Sequence, residues 1–269
     1  MIVTRPPLAL LALLTLCLAA APAPAVTGHS VEYAGAEGEM PAQLYLPDEG
    51  GRRPAVLVLH TLAGPGPNVE AHARRLADHG FVAMTPDLFA LHDFGPEGRA
   101  DHPLVLRDLD GALKWLSVHP RVHPSRLGVV GFSYGGRLAI LAAATHPEIR
   151  AAVVYYAIAS YQALARERPV AGRALQTRPL TDLAPAIRAP VQIHHGLGDT
   201  TVPPSQGRLL YEALRAAGQP ATLYLYPGAS HLFNFAIAAE GQSSYQADAD
   251  RLAWARTLEF LQRHLSAAP

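Results

Sequence analysis

Apolar residues arrive along this chain in two alternating rhythms. One is strand-like: an unbroken run in Ala55-Val56-Leu57-Val58-Leu59-His60 after Pro54, then further strands at 81–85 closed by Pro86, 127–132, 151–156, 191–195 and 222–226. Unbroken apolar runs of this length suit strands buried on both faces, the signature of a parallel sheet covered on each side. The other rhythm has a helical period. It occupies 69–79 (closed by Gly80), 103–119 (with Leu106, Leu109, Leu113 and Leu116 on one face), 137–144, 205–217 and 245–264. Ahead of them, 31–33 and 42–46 alternate only partly and predict an antiparallel pair opening the sheet. Strand and helix alternate without repeats or low-complexity linkers. The expected fold is therefore α/β, a mostly parallel sheet with helices on both faces, in a single domain over 26–269. Residues 158–189 break the rhythm, and a segment of that length forms either a cap or rim at a site or a surface excursion.

The first 25 residues follow a different rule. Arg5 gives a positive start, 8–21 is apolar, and Ala23-Pro24-Ala25 offers small residues for cleavage. The apolar run is shorter than the roughly 20 residues a membrane span needs. It predicts a signal peptide cut after Ala25, hence an exported protein without stable membrane association. Cys17 invites a lipid-anchor reading, but Leu16 is bulky where such sites want a small residue. Cys17 is the only cysteine in the sequence, so the mature chain would have no disulfide, thiol nucleophile or cysteine metal site. Lys+Arg and Asp+Glu balance at 22 each, Lys114 is the only lysine, and no basic stripe points to nucleic acid. No metal-ligand spacing of the H-E-x-x-H kind occurs, so neither metal nor cofactor is expected.

The chemistry concentrates in Leu127-Gly128-Val129-Val130-Gly131-Phe132-Ser133-Tyr134-Gly135-Gly136. A buried strand runs through G-x-S-x-G directly into a helix, which places a serine hydroxyl on a sharp turn at the carboxyl edge of the sheet. Serine needs a base and the base an orienting acid. His231 follows the 222–226 strand, and Asp199 follows the 191–195 strand within Gly196-Leu197-Gly198-Asp199-Thr200. The order Ser133, Asp199, His231 is that of α/β-hydrolases and not of the chymotrypsin or subtilisin types. Asp182 is the rival acid, but no strand precedes it. His194, His195 and His60 sit at strand ends and read as structural or site-lining. Oxyanion donors are expected from the amides of Tyr134, directly after the nucleophile, and Leu62, in the loop after the 55–60 strand.

Four segments in order resemble the dienelactone hydrolase family over roughly 40–265. They are Leu59-His60-Thr61-Leu62-Ala63-Gly64 with 76–88, then Gly131 to Gly136, then His195-Gly196 to Asp199 with Val202-Pro203, and 226–233 with His231. The resemblance implies an α/β-hydrolase fold and a hydrolase. Dienelactone hydrolases proper carry a cysteine where this chain has Ser133 and a glutamate where it has Thr61. That glutamate serves the thiol, so the two changes belong together, and they imply the family's serine branch of carboxylic esterases. Other readings are a small peptidase of prolyl-oligopeptidase type, a dienelactone-type lactonase, and a non-catalytic binding protein on the same fold.

Overall fold

The computed structural model describes residues 26, 28–48, 50–93, 95, 99–170, 172–237 and 244–266. Residues 1–25, where a signal peptide is expected, and Cys17 among them, lie outside the described residues. Eight strands form one sheet: β1 (Gly28–Ala34), β2 (Glu39–Tyr45), β3 (Arg53–Leu59), β4 (Val82–Pro86), β5 (Val122–Phe132), β6 (Ile149–Tyr155), β7 (Val191–Gly196) and β8 (Ala221–Tyr226). Their spatial order is β1-β2-β4-β3-β5-β6-β7-β8. β2 runs antiparallel to both of its neighbours, and the other pairings are parallel. The expected antiparallel opening and parallel body are both present.

The buried strands split their side chains between two cores. In β3, Ala55, Leu57 and Leu59 face one side and Val56 and Val58 the other; in β6, Ala152 and Val154 oppose Ala151, Val153 and Tyr155. The first face is covered by α2 (Pro103–Val118), α3 (Tyr134–Thr145) and α5 (Pro204–Ala216), the second by α1 (Pro67–Ala77) and α6 (Ala247–Leu265). Period-2 alternation with both faces apolar is why these strands read as unbroken runs.

The excursion after β6 holds α4 (Tyr161–Leu164) and two short 3₁₀ helices, Gly172–Gln176 and Leu180–Ala186. Its second half is core, since Leu180, Leu183, Ala184, Ile187 and Ala189 are buried on the α3–α5 face. Its start is fixed by buried Gln206, whose Oε1 accepts the N–H groups of Ala159 (3.1 Å) and Ser160 (3.0 Å). The segment is thus a packed excursion over α3 and α5.

The chain leaves β3 toward β4 on one side and β5 toward β6 on the other, although β3 and β5 are neighbours. Loops diverge at such a switch point and open a crevice at the carboxyl ends of the strands. The loop carrying Leu62 and the turn carrying Ser133 leave the sheet there.

Candidate active site

Ser133 joins β5 to α3 with φ +53° and ψ −109°. A non-glycine residue with positive φ costs energy and persists only where its surroundings enforce it. Here the enforcement is steric and hydrogen-bonded. A Cβ at Gly131 would lie 2.0 Å from the Gly135 carbonyl oxygen, and one at Gly135 would lie 2.2 Å from that of Leu59. The two glycines let strand, turn and helix close on one another, and Ser133 N–H donates to Tyr155 carbonyl at 2.9 Å. The turn lifts the serine side chain out of the sheet.

The loops after β7 and β8 are zipped together: Leu197 N–H donates to Tyr226 carbonyl (2.9 Å) and Gly198 N–H to Ala229 carbonyl (2.8 Å). This pairing brings Asp199 and His231 within reach of one another. His231 Nδ1 donates to Asp199 Oδ2 at 2.7 Å, and His231 Nε2 lies 3.1 Å from Ser133 Oγ. A carboxylate can only accept, so the imidazole proton sits on Nδ1 and leaves Nε2 bare to accept from the serine hydroxyl. Asp199 Oδ1 in turn accepts the N–H groups of Thr201 (2.9 Å) and Val202 (2.8 Å). Its carboxylate is shielded from solvent while the imidazole is 13% exposed. Burial alone would raise the Asp199 pKa. The His195 Nε2–H standing 3.5 Å away, the hydrogen bond and charge of His231 and the Val202 N–H outweigh it and hold the pKa at about 2.

Asp182, the rival acid, is exposed on the second 3₁₀ helix, where it accepts the Thr181 hydroxyl. His194 and His195 are buried behind the site. His194 bonds Tyr226 Oη and Gln192, and His195 Nε2 donates to Val202 carbonyl at 2.8 Å while standing 3.5 Å from Asp199 Oδ2. His60 Nδ1 donates to Thr61 carbonyl at 2.7 Å. Tyr134 opens α3, and its hydroxyl donates to Arg99 carbonyl at 2.7 Å. Leu62 follows β3, and its carbonyl accepts Arg99 Nη1 at 2.7 Å.

A cavity of about 860 Å³ adjoins His231, walled by Thr61, Ala63 to Gly66 and the start of α1, and by Thr200, Thr201, Leu232, Phe235 and Ile237. Asn68 closes it by a reciprocal pair with Ile237, its Nδ2 donating to the carbonyl (2.8 Å) and its Oδ1 accepting the N–H (2.9 Å). Thr61 stands on this wall, its hydroxyl accepting Ala63 N–H at 3.2 Å. Among the described residues no group of three or more His, Cys, Asp or Glu side chains could hold a metal ion. The Asp-rich start of α6 is an ordinary acidic first turn.

Sequence reasoning passed over Arg99, Tyr156 and Asn234. Tyr156 packs on His231 and donates to Asn234 Oδ1 at 2.7 Å. Neither motif nor periodicity marks them, because each acts through a contact distant in the chain.

Residues 40–265 match the Dienelactone hydrolase family. The chain belongs to that family. A Yersinia pestis relative named as a carboxymethylenebutenolidase is 32% identical over 245 residues, covering 86% of each chain. A Methylorubrum extorquens relative of the same name is 29% identical, covering 85% of this chain and 78% of its own. The crystal structure of a Klebsiella pneumoniae protein described as a dienelactone hydrolase superposes with a TM-score of 0.73 at 28% identity, covering 89% of this chain and 99% of that one. A Mycobacterium tuberculosis puromycin-hydrolyzing peptidase shares the fold at a TM-score of 0.73 and 22% identity, with this chain spanning 41% of its length. The family and its α/β-hydrolase fold are those expected from the sequence.

Proposed function

We propose that this dienelactone hydrolase family member is an exported serine hydrolase that cleaves carboxylic esters through an acyl-enzyme. The observation that carries the reading is the continuous relay from Asp199 through His231 to Ser133, at 2.7 and 3.1 Å. His231 Nε2 takes the Ser133 proton as Oγ attacks the ester carbonyl. The amides of Tyr134 and Leu62 receive the developing oxyanion, and buried Asp199 stabilises the imidazolium. His231 then protonates the departing alcohol and activates the water that releases the acid. No cofactor enters these steps. Export rests on the charged start, apolar run and small-residue site of the first 25 residues.

Ser133→Ala tests the chemistry. Loss of p-nitrophenyl acetate hydrolysis by a factor of about 10⁴ or more is expected with the fold intact, and wild-type turnover by that variant rejects the assignment. Amino-terminal sequencing of native protein tests export. A start at Val26 is expected, and a start at Met1, or at a lipid-bearing Cys17, rejects it.

The names of the relatives favour a second reading, hydrolysis of an unsaturated lactone. One, from Bradyrhizobium, is named for a 2-oxo-3-(5-oxofuran-2-ylidene)propanoate lactonase activity and is 32% identical over 237 residues. Comparing kcat/KM for a dienelactone and p-nitrophenyl acetate at one pH separates the two. With Ser133 and Thr61 in place of the thiol and its glutamate, the acetate is expected to win.

A further inference from the structure

An oxyanion hole works only if its two donors converge on one oxygen at about 3 Å. In this chain the donors belong to separate segments, the loop after β3 and the first residue of α3, so something must set their spacing. Resting on the reading of Leu62 and Tyr134 as those donors, we propose that Arg99 is a positioning residue that ties the two halves of the oxyanion hole together.

Leu62 sits between two pinned peptide planes. The first joins Thr61 to Leu62. Because a trans peptide is planar, the Leu62 N–H points opposite to the Thr61 carbonyl. That carbonyl accepts His60 Nδ1–H at 2.7 Å and Gly64 N–H at 3.1 Å. His60 cannot turn to release it, since its Nε2 accepts Leu88 N–H at 3.2 Å and its ring packs against Phe89. The second plane joins Leu62 to Ala63, and its carbonyl accepts Arg99 Nη1 at 2.7 Å. With both planes held, the backbone of Leu62 has little freedom left.

Arg99 also reaches the other donor. Its own carbonyl accepts the Tyr134 hydroxyl at 2.7 Å, and its guanidinium lies 4.1 Å above the Phe89 ring. Phe89 packs in turn on Tyr134, with ring centroids 5.8 Å apart. Tyr134 is buried, and its side chain fixes the start of α3. Arg99 therefore touches Leu62 with its side chain and Tyr134 with its backbone. Among the described residues, no other bonds to both.

Arg99→Met keeps an apolar stem over Phe89 and removes the donor, and Arg99→Lys restores one donor and the charge. In each full-length variant, active sites are titrated with a fluorophosphonate. Then kcat and KM for p-nitrophenyl acetate and the Ki of phenylboronic acid, which forms a tetrahedral adduct with an active serine, are measured. Arg99→Met is expected to lower kcat per titrated site by about 10- to 100-fold, with KM changed by less than about twofold. The boronate Ki should rise by a similar factor, and Arg99→Lys should recover part of both. Tyr134→Phe, which cuts the bridge at its other end, should move kcat and Ki in the same direction by less. It also serves if Arg99→Met fails to fold. An unchanged kcat per site, a fall in kcat with an unchanged boronate Ki, or a rise in KM alone overturns the proposal. A purely structural role would lower the number of titratable sites and leave both constants per site unmoved. If wild-type protein is not labelled at Ser133 at all, the serine-hydrolase reading fails first and takes this inference with it.

Discussion

Tyr156 stands edge-on to His231, ring centroids 4.7 Å apart and planes at 61°, and it does so from a backbone with φ +41°. A bulky residue in the left-handed region is strained, and such strain gathers at functional sites. The residue is locked by three bonds or contacts: its N–H donates to His194 carbonyl (2.8 Å), its hydroxyl to Asn234 Oδ1 (2.7 Å), and its ring meets Phe233. Asn234 lies three residues beyond His231 and also bonds buried His72. The bonds and contacts that hold Tyr156 against its strain thus also brace the loop that presents the base.

Tyr156→Phe keeps the ring against His231 and loses one buried hydrogen bond. It is expected to cost about 1 kcal/mol of stability and to leave kcat close to wild type. Tyr156→Ala removes the ring itself. Urea unfolding should register about 3–5 kcal/mol for that cavity, and kcat should fall as the imidazole gains freedom. Equal kcat values for the Phe and Ala variants would show that the ring does not hold His231.

The choice of acid has a direct comparison. Asp199→Asn keeps the shape but makes its amide a poor partner for Nδ1–H, so the wrong imidazole tautomer is favoured and kcat should drop by about 10⁴. Asp182→Asn alters an exposed side chain and should cost little. A reversed ranking identifies Asp182 as the acid.

What could be read ahead of the structure depended on whether a residue's role was written locally. Ser133, Asp199 and His231 were legible because each follows a buried strand in the α/β-hydrolase order, and the geometry brings them together. The sheet body was legible because both faces of β3 and β6 are apolar. β5 was read from residue 127, yet it begins at Val122. The reason is a register shift between Arg53 and Ala55 in the pairing with β3, with exposed Pro124 and Ser125 interrupting the apolar pattern. The 3₁₀ turns of 158–189 were invisible because their short runs, one interrupted by Pro185, never complete a 3.6-residue period. Arg99 and Tyr156 act across the fold, where no local pattern reports them.

Two buried histidines predict the acid limb of stability. Burial, aided by the positive charges of Arg75 and Arg256 respectively, lowers the pKa values of His72 and His194 to about 3, from an ordinary value of 6.5. Their folded pKa values lie below the unfolded ones, so unfolding takes up protons. Their contribution is fully present above pH 6.5 and is lost as pH falls toward 3. Each proton changes the unfolding free energy by about 1.4 kcal/mol per pH unit. Stability measured by urea between pH 6 and 4 should therefore fall, these two histidines contributing close to two protons to the slope and His60, which burial also shifts down, adding to it; His194→Gln should reduce the slope by about one proton. A slope that His194→Gln leaves unchanged would remove His194 from this account.

Arg137 tests how the site is anchored from below. It lies on α3, its side chain has no solvent exposure, and it forms a two-pronged pair with Asp101: Nε to Oδ1 at 2.7 Å, and Nη2 to Oδ2. Nη2 also donates to Arg178 carbonyl (2.6 Å), Nη1 reaches Ile158 carbonyl (3.5 Å), and the guanidinium sits 5.2 Å from the Tyr161 ring centre. One side chain thus joins the nucleophile helix, the segment before α2 and the excursion after β6. Asp101 meets it from a backbone with φ +47°, a conformation that asparagine tolerates nearly as well. Asp101→Asn therefore removes charge without new strain and leaves a buried cation facing only carbonyl dipoles and the Tyr161 ring. Breaking one partner of such a pair costs about 3–5 kcal/mol, largely because the other charge stays buried. Arg137→Met alone strands Asp101 less severely, since Asp101 is 13% exposed. The double variant should be less destabilised than the sum of the singles, by about 0.5–3 kcal/mol. Because the Asp101 carboxylate bonds Arg137 and neither Ser133 nor His231, kcat per titrated active site should hold near wild type in Asp101→Asn while the unfolding midpoint falls. Additive losses in the double-mutant cycle, or an Asp101→Asn variant as stable as wild type, would show that the pair does not anchor the helix.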